Sequence, residues 1–158
     1  MDVFDEQMLS IWKAFKTHNL AYIMVGGFAV NLHGFQRTTG DVDIWIKDSK
    51  ENRHAFTQCL QALNYADLPQ IETIDFVPGF TTFLLNSGIE LDIMTWLKGF
   101  DQEDFDNCLA YASIAKIREL EIPFLHINHL LEAKKATSRP KDLIDIIELE
   151  KIRKERTD

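Results

Sequence analysis

The order of apolar patterns along this 158-residue chain predicts an α+β fold in which helices flank a small mixed β-sheet. Two observations lead to this prediction. Stretches with apolar residues at helical spacing alternate with short apolar runs of strand length, and one pair of runs is separated only by Ser87-Gly88, which is typical of a β-hairpin. Because no repeat or low-complexity segment interrupts the order, we expect one domain over residues 1–158 with a charged tail from about 151.

The first half of the chain is predicted to contain three helices and two strands. An apolar run that ends at Gly26-Gly27 is typical of a strand leading into a tight turn, and the alternation of apolar and acidic residues after Gly40 is typical of a second strand. The predicted elements are a helix over 4–17, a strand over 20–25, a short helix over 28–33, a strand over 41–46 and a helix over 50–63.

The second half is predicted to contain a hairpin, two short strands and two helices. The strands are expected over 80–86, 89–94, 112–117 and 123–127. A helix is expected to follow the N-cap residue Asn128 and run through 136, and another to begin near Pro140, since proline is favoured in the first turn. The last helix has a predicted apolar stripe and a tail that frays, the stripe being Leu143, Ile146, Ile147 and Leu149.

Composition narrows the possible functions. The formal net charge of −8 disfavours general DNA or RNA binding, which depends on neutralising phosphates with Lys and Arg, although 134–141 is a local basic stretch. No apolar run approaches the roughly 20 residues that span a bilayer, and the acidic N-terminus does not resemble a signal peptide. We therefore expect a cytoplasmic protein without membrane contact, in which Cys59 and Cys108 are free thiols.

The most informative residues are Asp41 and Asp43, which follow the glycine pair after a short spacer. Residues two apart on a strand project from the same face, so these two carboxylates are expected to lie close together. Like charges on one face are stabilised by a cation, and Mg²⁺ typically takes one or two carboxylates together with substrate phosphates. Gly26 and Gly27 at a strand-to-helix turn allow a phosphate to approach the backbone and the helix N-terminus.

Each of these features has a simpler explanation when taken alone. A glycine pair is most often only a turn, and an Asp-x-Asp pair is most often a solvated strand face. Their combination in this order favours a functional site. Val25-Gly26-Gly27 followed by Asp41-Val42-Asp43-Ile44 resembles the signature of the nucleotidyltransferase superfamily related to DNA polymerase β. Within the spacer, Gly34, Arg37, Thr39 and Asp41 are similar to a run found in its small bacterial members.

The resemblance implies further site residues. The family takes a third carboxylate from a later strand, and Asp92 matches that position better than Glu90, which is the weaker alternative. The segment from Leu130 through Lys134, Arg139, Lys141, Asp142 and Asp145 is similar to a helical segment of the small members. There Lys134 is implied to contact the triphosphate, as are Arg37 and Thr39 in the spacer, although Arg37 also fits a charged pair with Asp41 that ties down the spacer loop. Arg139, Lys141 and Asp142 fit a place in the site and a purely structural role equally well, because Asp142 and Asp145 can form ion pairs with basic neighbours across the helix junction.

The resemblance also implies a fold and an activity. We expect a nucleotidyltransferase fold, with Asp41, Asp43 and Asp92 converging as ligands of Mg²⁺ or Mn²⁺. The implied enzyme transfers a nucleoside monophosphate from an NTP to a hydroxyl of a small molecule, a protein or a tRNA end. The alternative is a toxin–antitoxin component or a catalytically inactive nucleotide-binding module. Trp45 and Trp96 fit either stacking on a base or, more simply, a place in the core. The acceptor, nucleotide, pathway and oligomeric state stay open.

Overall fold

The computed structural model describes residues 5–65, 81–101 and 104–157. Within these ranges there are six helices and six strands. They are α1 (Glu6–Thr17), β1 (Tyr22–Val25), α2 (Gly26–His33), β2 (Val42–Ile46), α3 (Lys50–Ala62), β3 (Thr81–Leu84), β4 (Glu90–Met94), α4 (Phe105–Tyr111), β5 (Ser113–Ile117), β6 (Leu120–Phe124), α5 (Ile127–Thr137) and α6 (Pro140–Thr157). They follow the predicted order except for the helix Phe105–Tyr111, which was not among the predicted elements. The predicted starts of the first helix at residue 4 and of the hairpin at residue 80 lie outside the described residues.

The strands form one mixed sheet in the order β3-β4-β2-β1-β6-β5. Strand β2 pairs parallel with β4 and β1 pairs parallel with β6, whereas the other neighbours are antiparallel. The central strands β1, β2 and β4 are buried over most of their length, as expected for strands that are covered by helices. The α+β class with a mixed sheet flanked by helices is therefore confirmed.

Aromatic side chains join α1 to the sheet. Trp12 stacks on Tyr22 with ring centroids 6.0 Å apart, and Phe15 meets the same ring edge-on at 4.7 Å. The carboxylate of Asp5 caps α1 by accepting a 2.9 Å hydrogen bond from the backbone N–H of Met8.

The helices pack on different parts of the fold. Helix α1 contacts α3 and β6, whereas α2 contacts β1, β2, α5 and α6. Within the described ranges, no helix is long and apolar enough to cross a membrane.

The start of α5 differs from the prediction. The helix begins at Ile127, and its N-cap is His126 rather than Asn128. The Nδ1 atom of His126 accepts a 3.0 Å hydrogen bond from the backbone N–H of Asn128, which satisfies one of the free donors of the first turn. An imidazole acceptor thus replaces the amide that residue preferences favour.

Strand β6 also differs, because it spans Leu120–Phe124 instead of 123–127. A two-residue turn reverses the chain between β5 and β6, and Arg118 adopts a φ of 54° there. The turn pairs Ile117 with Leu120, so antiparallel pairing begins before the proline that was taken as the strand start. The charged residues around Arg118 predict a turn that lasts until Pro123, whereas the structure already has strand β6 from Leu120.

The predicted apolar stripe of α6 is only partly buried. Leu149 is fully buried, but Leu143 and Ile147 are 51% and 54% exposed. Two acidic residues, Asp142 and Asp145, occupy the buried positions near the start of the helix and face basic side chains. Ion pairs therefore orient this helix where a hydrophobic stripe was expected to do so.

The C-terminal end of α6 is tied to α2 through a buried histidine. Arg156 donates a 2.9 Å hydrogen bond to the carbonyl of His33, and its Nη1 lies 3.2 Å from Nδ1 of the same residue. The other ring nitrogen, Nε2, lies 2.8 Å from the carbonyl of Leu125. Since a carbonyl only accepts, Nε2 carries the proton, and since a guanidinium only donates, Nδ1 accepts from Arg156 and the ring is neutral. The prediction that the tail frays from 151 is wrong, because α6 continues to Thr157.

This neutral ring leads to a pH-dependent stability. Burial lowers the pKa of His33, the Leu125 hydrogen bond opposes this, and the charges of Arg156 and His126 lower it further. Unfolded chains bind the proton at the ordinary pKa near 6.5, so the free energy of unfolding falls as the pH drops below that value toward the lowered pKa. In urea denaturation between about pH 5 and 7, we expect His33→Gln to flatten this slope by up to about 1.4 kcal/mol per pH unit. An identical slope in both proteins would contradict this assignment.

Candidate active site

Two acidic side chains lie next to each other in the middle of the sheet. Strands β2 and β4 are parallel neighbours, and their register pairs Asp43 with Asp92. The residues on either side of Asp43, Val42 and Ile44, are fully buried on the opposite face. Alternation along both strands therefore turns the two carboxylates to the same side of the sheet, where the sequence placed them.

The proximity of the two carboxylates is electrostatically unfavourable. Burial raises the pKa of Asp43 to about 7, and the charge of Asp92 and a hydrogen bond with it act in the same direction. The charge of Asp41 raises this pKa further, while that of Lys134 lowers it. Asp41 itself is exposed and immediately precedes β2. A positive charge between Asp43 and Asp92 would relieve their repulsion.

A threonine that sequence reasoning did not identify completes the acidic pair. Thr82 lies opposite Asp92 in the antiparallel pairing of β3 with β4, and its hydroxyl donates a 2.6 Å hydrogen bond to Asp92 Oδ1. This donor holds Oδ1 of the Asp92 carboxylate in place. The hairpin register could have revealed Thr82, since the turn at Ser87-Gly88 determines which residues of the two strands face each other.

The first glycine of the pair is required by an aspartate side chain. Gly26 has a φ of 69°, a conformation that costs little only for glycine. A Cβ atom added here would overlap Asp43 Oδ2, so the absence of a side chain allows the carboxylate to lie directly against the start of α2. The sequence pattern predicts that this glycine lets a phosphate approach the backbone. In the structure, the Asp43 carboxylate occupies part of the space beside Gly26.

The second glycine makes room for the spacer loop. A Cβ on Gly27 would lie 2.6 Å from Thr39 Oγ1 and 3.4 Å from Arg37 Nη2. Thr39 and Arg37 thus pack against the first turn of α2. The backbone of Arg37 is also fixed, because its N–H donates to Asn31 Oδ1 at 3.1 Å and its carbonyl accepts from Asn31 Nδ2 at 3.0 Å.

Two buried acids of α6, Asp142 and Asp145, hold the basic side chains of Lys134 and Arg139. Lys134 Nζ lies 3.1 Å from Asp145 Oδ2 and 3.4 Å from Asp142 Oδ1. Arg139 Nε lies 2.8 Å from Asp142 Oδ2, and this contact, together with a hydrogen bond from Thr137, moves the pKa of Asp142 well below its usual range against the opposing effect of burial. The structure therefore supports the ion-pair interpretation of Asp142 and Asp145, while Lys134 still faces the site.

All the site residues predicted from the sequence line one cavity of about 820 Å³. They are Gly26, Gly27, Arg37, Thr39, Asp41, Asp43, Asp92 and Lys134. Further basic side chains on the cavity wall are Lys98, Arg139 and Lys141, and apolar ones include Met94, Trp96 and Leu97. The volume lies within the range of pockets that enclose ligands of nucleotide size.

Comparison with known proteins identifies this architecture. The sequence matches no protein-family model and no curated protein. Its fold does match a solved structure, that of the lincosamide antibiotic adenylyltransferase LnuA with lincomycin bound. The TM-score is 0.60 at 18% sequence identity, and the match covers 96% of this chain and 99% of LnuA. This chain has the nucleotidyltransferase fold.

Two further structures with the nucleotidyltransferase fold agree. TM1012 from Thermotoga maritima, provisionally assigned as a nucleotidyltransferase, gives a TM-score of 0.56 at 16% identity over 95% of this chain and 90% of its own. An antigenic nucleotidyltransferase-like protein from Paracoccidioides brasiliensis gives 0.55 at 18% identity over 90% of this chain and 74% of its own. At such low identities the likeness concerns the fold, which was the prediction from the sequence.

The locations of three further residues decide whether they can belong to the site: Trp45 and Trp96, considered for stacking on a base, and Glu90, considered as the third acid. Trp45 is fully buried and meets Phe105 edge-on at 5.2 Å, so it belongs to the core and does not face a base. Trp96 is 44% exposed and lines the cavity. Glu90, the weaker alternative for the third acid, is exposed and is not among the lining residues. The cavity therefore favours Asp92 over Glu90.

The carboxylates fit a divalent cation in one particular way. Among the residues that the structure describes, no three His, Cys, Asp or Glu side chains are grouped closely enough to hold a metal ion by themselves. The expected convergence of three acids is thus not preformed, since Asp43 and Asp92 meet while Asp41 lies exposed at the edge. Mg²⁺ commonly takes only one or two carboxylates, with water and substrate phosphate as the other ligands. The Asp43–Asp92 pair fits that mode of binding.

Proposed function

We propose that this protein transfers a nucleoside monophosphate from a nucleoside triphosphate to a hydroxyl group of an acceptor. The observation that supports the proposal most strongly is the placement of Asp43 beside Asp92 and against Gly26, inside the cavity of a nucleotidyltransferase fold. Two adjacent acids that repel each other, with Asp92 buried and Asp43 half-buried, have little value for stability, so a ligand explains their presence better than folding does.

In the proposed reaction, the acceptor oxygen attacks the α-phosphorus. The bond between that phosphorus and the oxygen bridging to the β-phosphate breaks, and pyrophosphate leaves with the bond electrons. Asp92 accepts the proton of the attacking hydroxyl, and Thr82 keeps the Asp92 carboxylate oriented by donating to its other oxygen. Arg37 and Lys134 stabilise the negative charge of the triphosphate.

We propose Mg²⁺ or Mn²⁺ as the cofactor, held by Asp43 and Asp92 with Asp41 at the cavity edge. A divalent cation held there would neutralise negative charge on the phosphates. Asp43 contributes by presenting an oxygen at a place fixed by the strand and by Gly26, so the protein supplies an ordered ligand before the nucleotide arrives.

A small molecule is the acceptor class that the cavity favours over a long nucleic acid. The net charge of −8 opposes binding of an extended polyanion. Beyond Asp92, the side chains of Met94, Trp96 and Leu97 add an apolar wall to the cavity, which suits a compact molecule with an apolar part. The adenylyltransferase LnuA, solved with lincomycin bound, shares this fold and also supports the proposal.

The test is a transfer assay with each of the four nucleoside triphosphates and a divalent cation. Acceptors are a panel of small hydroxyl compounds, bulk tRNA and protein, and mass spectrometry detects the added nucleoside monophosphate while pyrophosphate is measured in parallel. We expect an adduct on a small compound and none with Asp43→Asn. Nucleotide binding without transfer, unchanged by Asp43→Asn, would instead indicate an inactive nucleotide-binding module or an interaction protein such as a toxin–antitoxin component.

A further inference from the structure

One buried carboxylate of α6 contacts two cations that come from different parts of the chain. Asp145 is 1% exposed. Its Oδ1 lies 3.0 Å from Arg37 Nε, and its Oδ2 accepts a 3.1 Å hydrogen bond from Arg37 Nη2. The same Oδ2 lies 3.1 Å from Lys134 Nζ. Asp145 therefore joins the spacer loop to α5 through a single side chain.

The two cations line the cavity, whereas Asp145 lies behind them and does not. Arg37 is directed toward the start of α2, because its Nη2 lies 3.4 Å from the position of a Cβ on Gly27. Asn31 fixes the backbone of the same residue through two hydrogen bonds of 3.0 and 3.1 Å. The backbone of Arg37 is thus held by α2 and its guanidinium by α6.

This arrangement matters because free Arg and Lys side chains lose considerable conformational freedom when they bind a phosphate. Cations that are already ordered avoid that loss. Two opposing effects follow when Asp145 is neutralised: the cavity becomes more positive, and the cations are held less firmly, since Arg37 loses its charged partner and Lys134 keeps only its 3.4 Å contact with Asp142. The carboxylate lies behind the cations and out of contact with the cavity, so the loss of order is the larger effect at the phosphates.

We propose that Asp145 is a positioning residue that holds Arg37 and Lys134 in place for the triphosphate. The proposal rests on the proposed function, because it needs a nucleoside triphosphate in the cavity. Asp145 does not touch the nucleotide. It acts through the two cations, and Asn31 acts in the same way through the backbone of Arg37.

The experiment is calorimetric titration with Mg-ATP, Mg-GTP, Mg-CTP and Mg-UTP, followed by the monophosphate of the nucleotide that binds best. We expect Asp145→Asn to weaken triphosphate binding by at least about tenfold and monophosphate binding by less than about threefold. If the wild type binds no triphosphate, the proposed function and this proposal fail together. If the wild type binds but Asp145→Asn binds the triphosphate equally well or more tightly, only the positioning role is overturned.

Further variants separate positioning from folding. Arg37→Gln and Asp145→Asn together should weaken triphosphate binding by less than the product of the two single losses, since both remove the ordered Arg37 and only the loss through Lys134 is added. Independent, multiplicative losses would overturn the proposal.

Asn31→Ala leaves the buried ion pairs intact and should also lower triphosphate affinity. Unchanged affinity of this variant counts against the proposal, even if Asp145→Asn does not fold. Asp48→Asn, which removes the 2.6 Å partner of Arg53 away from the cavity, is the matched control and should bind normally.

Discussion

Asp43→Asn is expected to lower the rate of nucleotidyl transfer by at least about a thousandfold. The amide has nearly the same shape as the carboxylate, but it carries no charge and is a poor ligand for Mg²⁺ or Mn²⁺. The position of Asp43 is fixed by β2 and by contact with Gly26, whereas Asp41 lies exposed at the cavity edge, so we do not expect Asp41 to replace it. Pyrophosphate release and mass spectrometry of the acceptor, with wild type and variant at equal concentration, measure the effect.

The stability of this variant shows whether the loss is chemical. The pKa of Asp43 is raised to about 7, so the folded protein binds this proton more tightly than the unfolded chain does. Without a cation, this group therefore lowers stability as the pH rises from the ordinary aspartate pKa through about 7. Asparagine removes the repulsion, and we expect the variant at pH of about 8 to unfold at the same or a higher urea concentration than wild type. An unfolded variant, or one that still transfers, would argue against the assigned role.

Gly26→Ala is expected to have the second-largest effect, with transfer reduced by at least about a hundredfold. The new Cβ would overlap the Asp43 carboxylate, so either that carboxylate or the start of α2 must move. The φ of 69° adds a backbone cost of about 1–2 kcal/mol for a residue other than glycine. Transfer kinetics and urea denaturation, measured on the same preparation, separate the two contributions.

A glycine of the spacer between α2 and β2 provides the matched control. A Cβ on Gly40 meets no atom within 4 Å, and no positive φ is recorded for this residue. Gly40→Ala should therefore leave stability within about 0.5 kcal/mol of wild type. If Gly26→Ala proves as active as Gly40→Ala, the close contact between Gly26 and Asp43 has no part in catalysis.

Local patterns predicted the strands that carry the acids, but not how the strands meet. Alternation of apolar and acidic residues is a property of a few neighbouring positions, and it placed Asp43 and Asp92 on exposed strand faces. Their pairing depends on contacts between β2 and β4, which lie far apart in the sequence. The resemblance supplied that link for Asp92. Thr82 has no motif of its own and could be found only through the hairpin register.

Short-range preferences also failed where side chains compete for one position. The glycine pair was identified, yet the need for it comes from Asp43 and Thr39, which sequence spacing alone does not bring against α2. In α6, a helical pattern of apolar residues predicted the wrong buried face, because Asp142 and Asp145 find basic partners inside the protein. Burial of paired charges cannot be read from periodicity, since it depends on where the partners lie.

The parallel pairing of β2 with β4 fixes the distance between the two acids independently of the loops around the cavity. The distance between Asp43 and Asp92 is set by the spacing of neighbouring strands, about 4.8 Å, and not by any loop. The cavity wall around Trp96 belongs instead to a connecting segment, and such segments tolerate substitution. Under the proposed function, changes there would alter which acceptor is bound while the two acids stay in register.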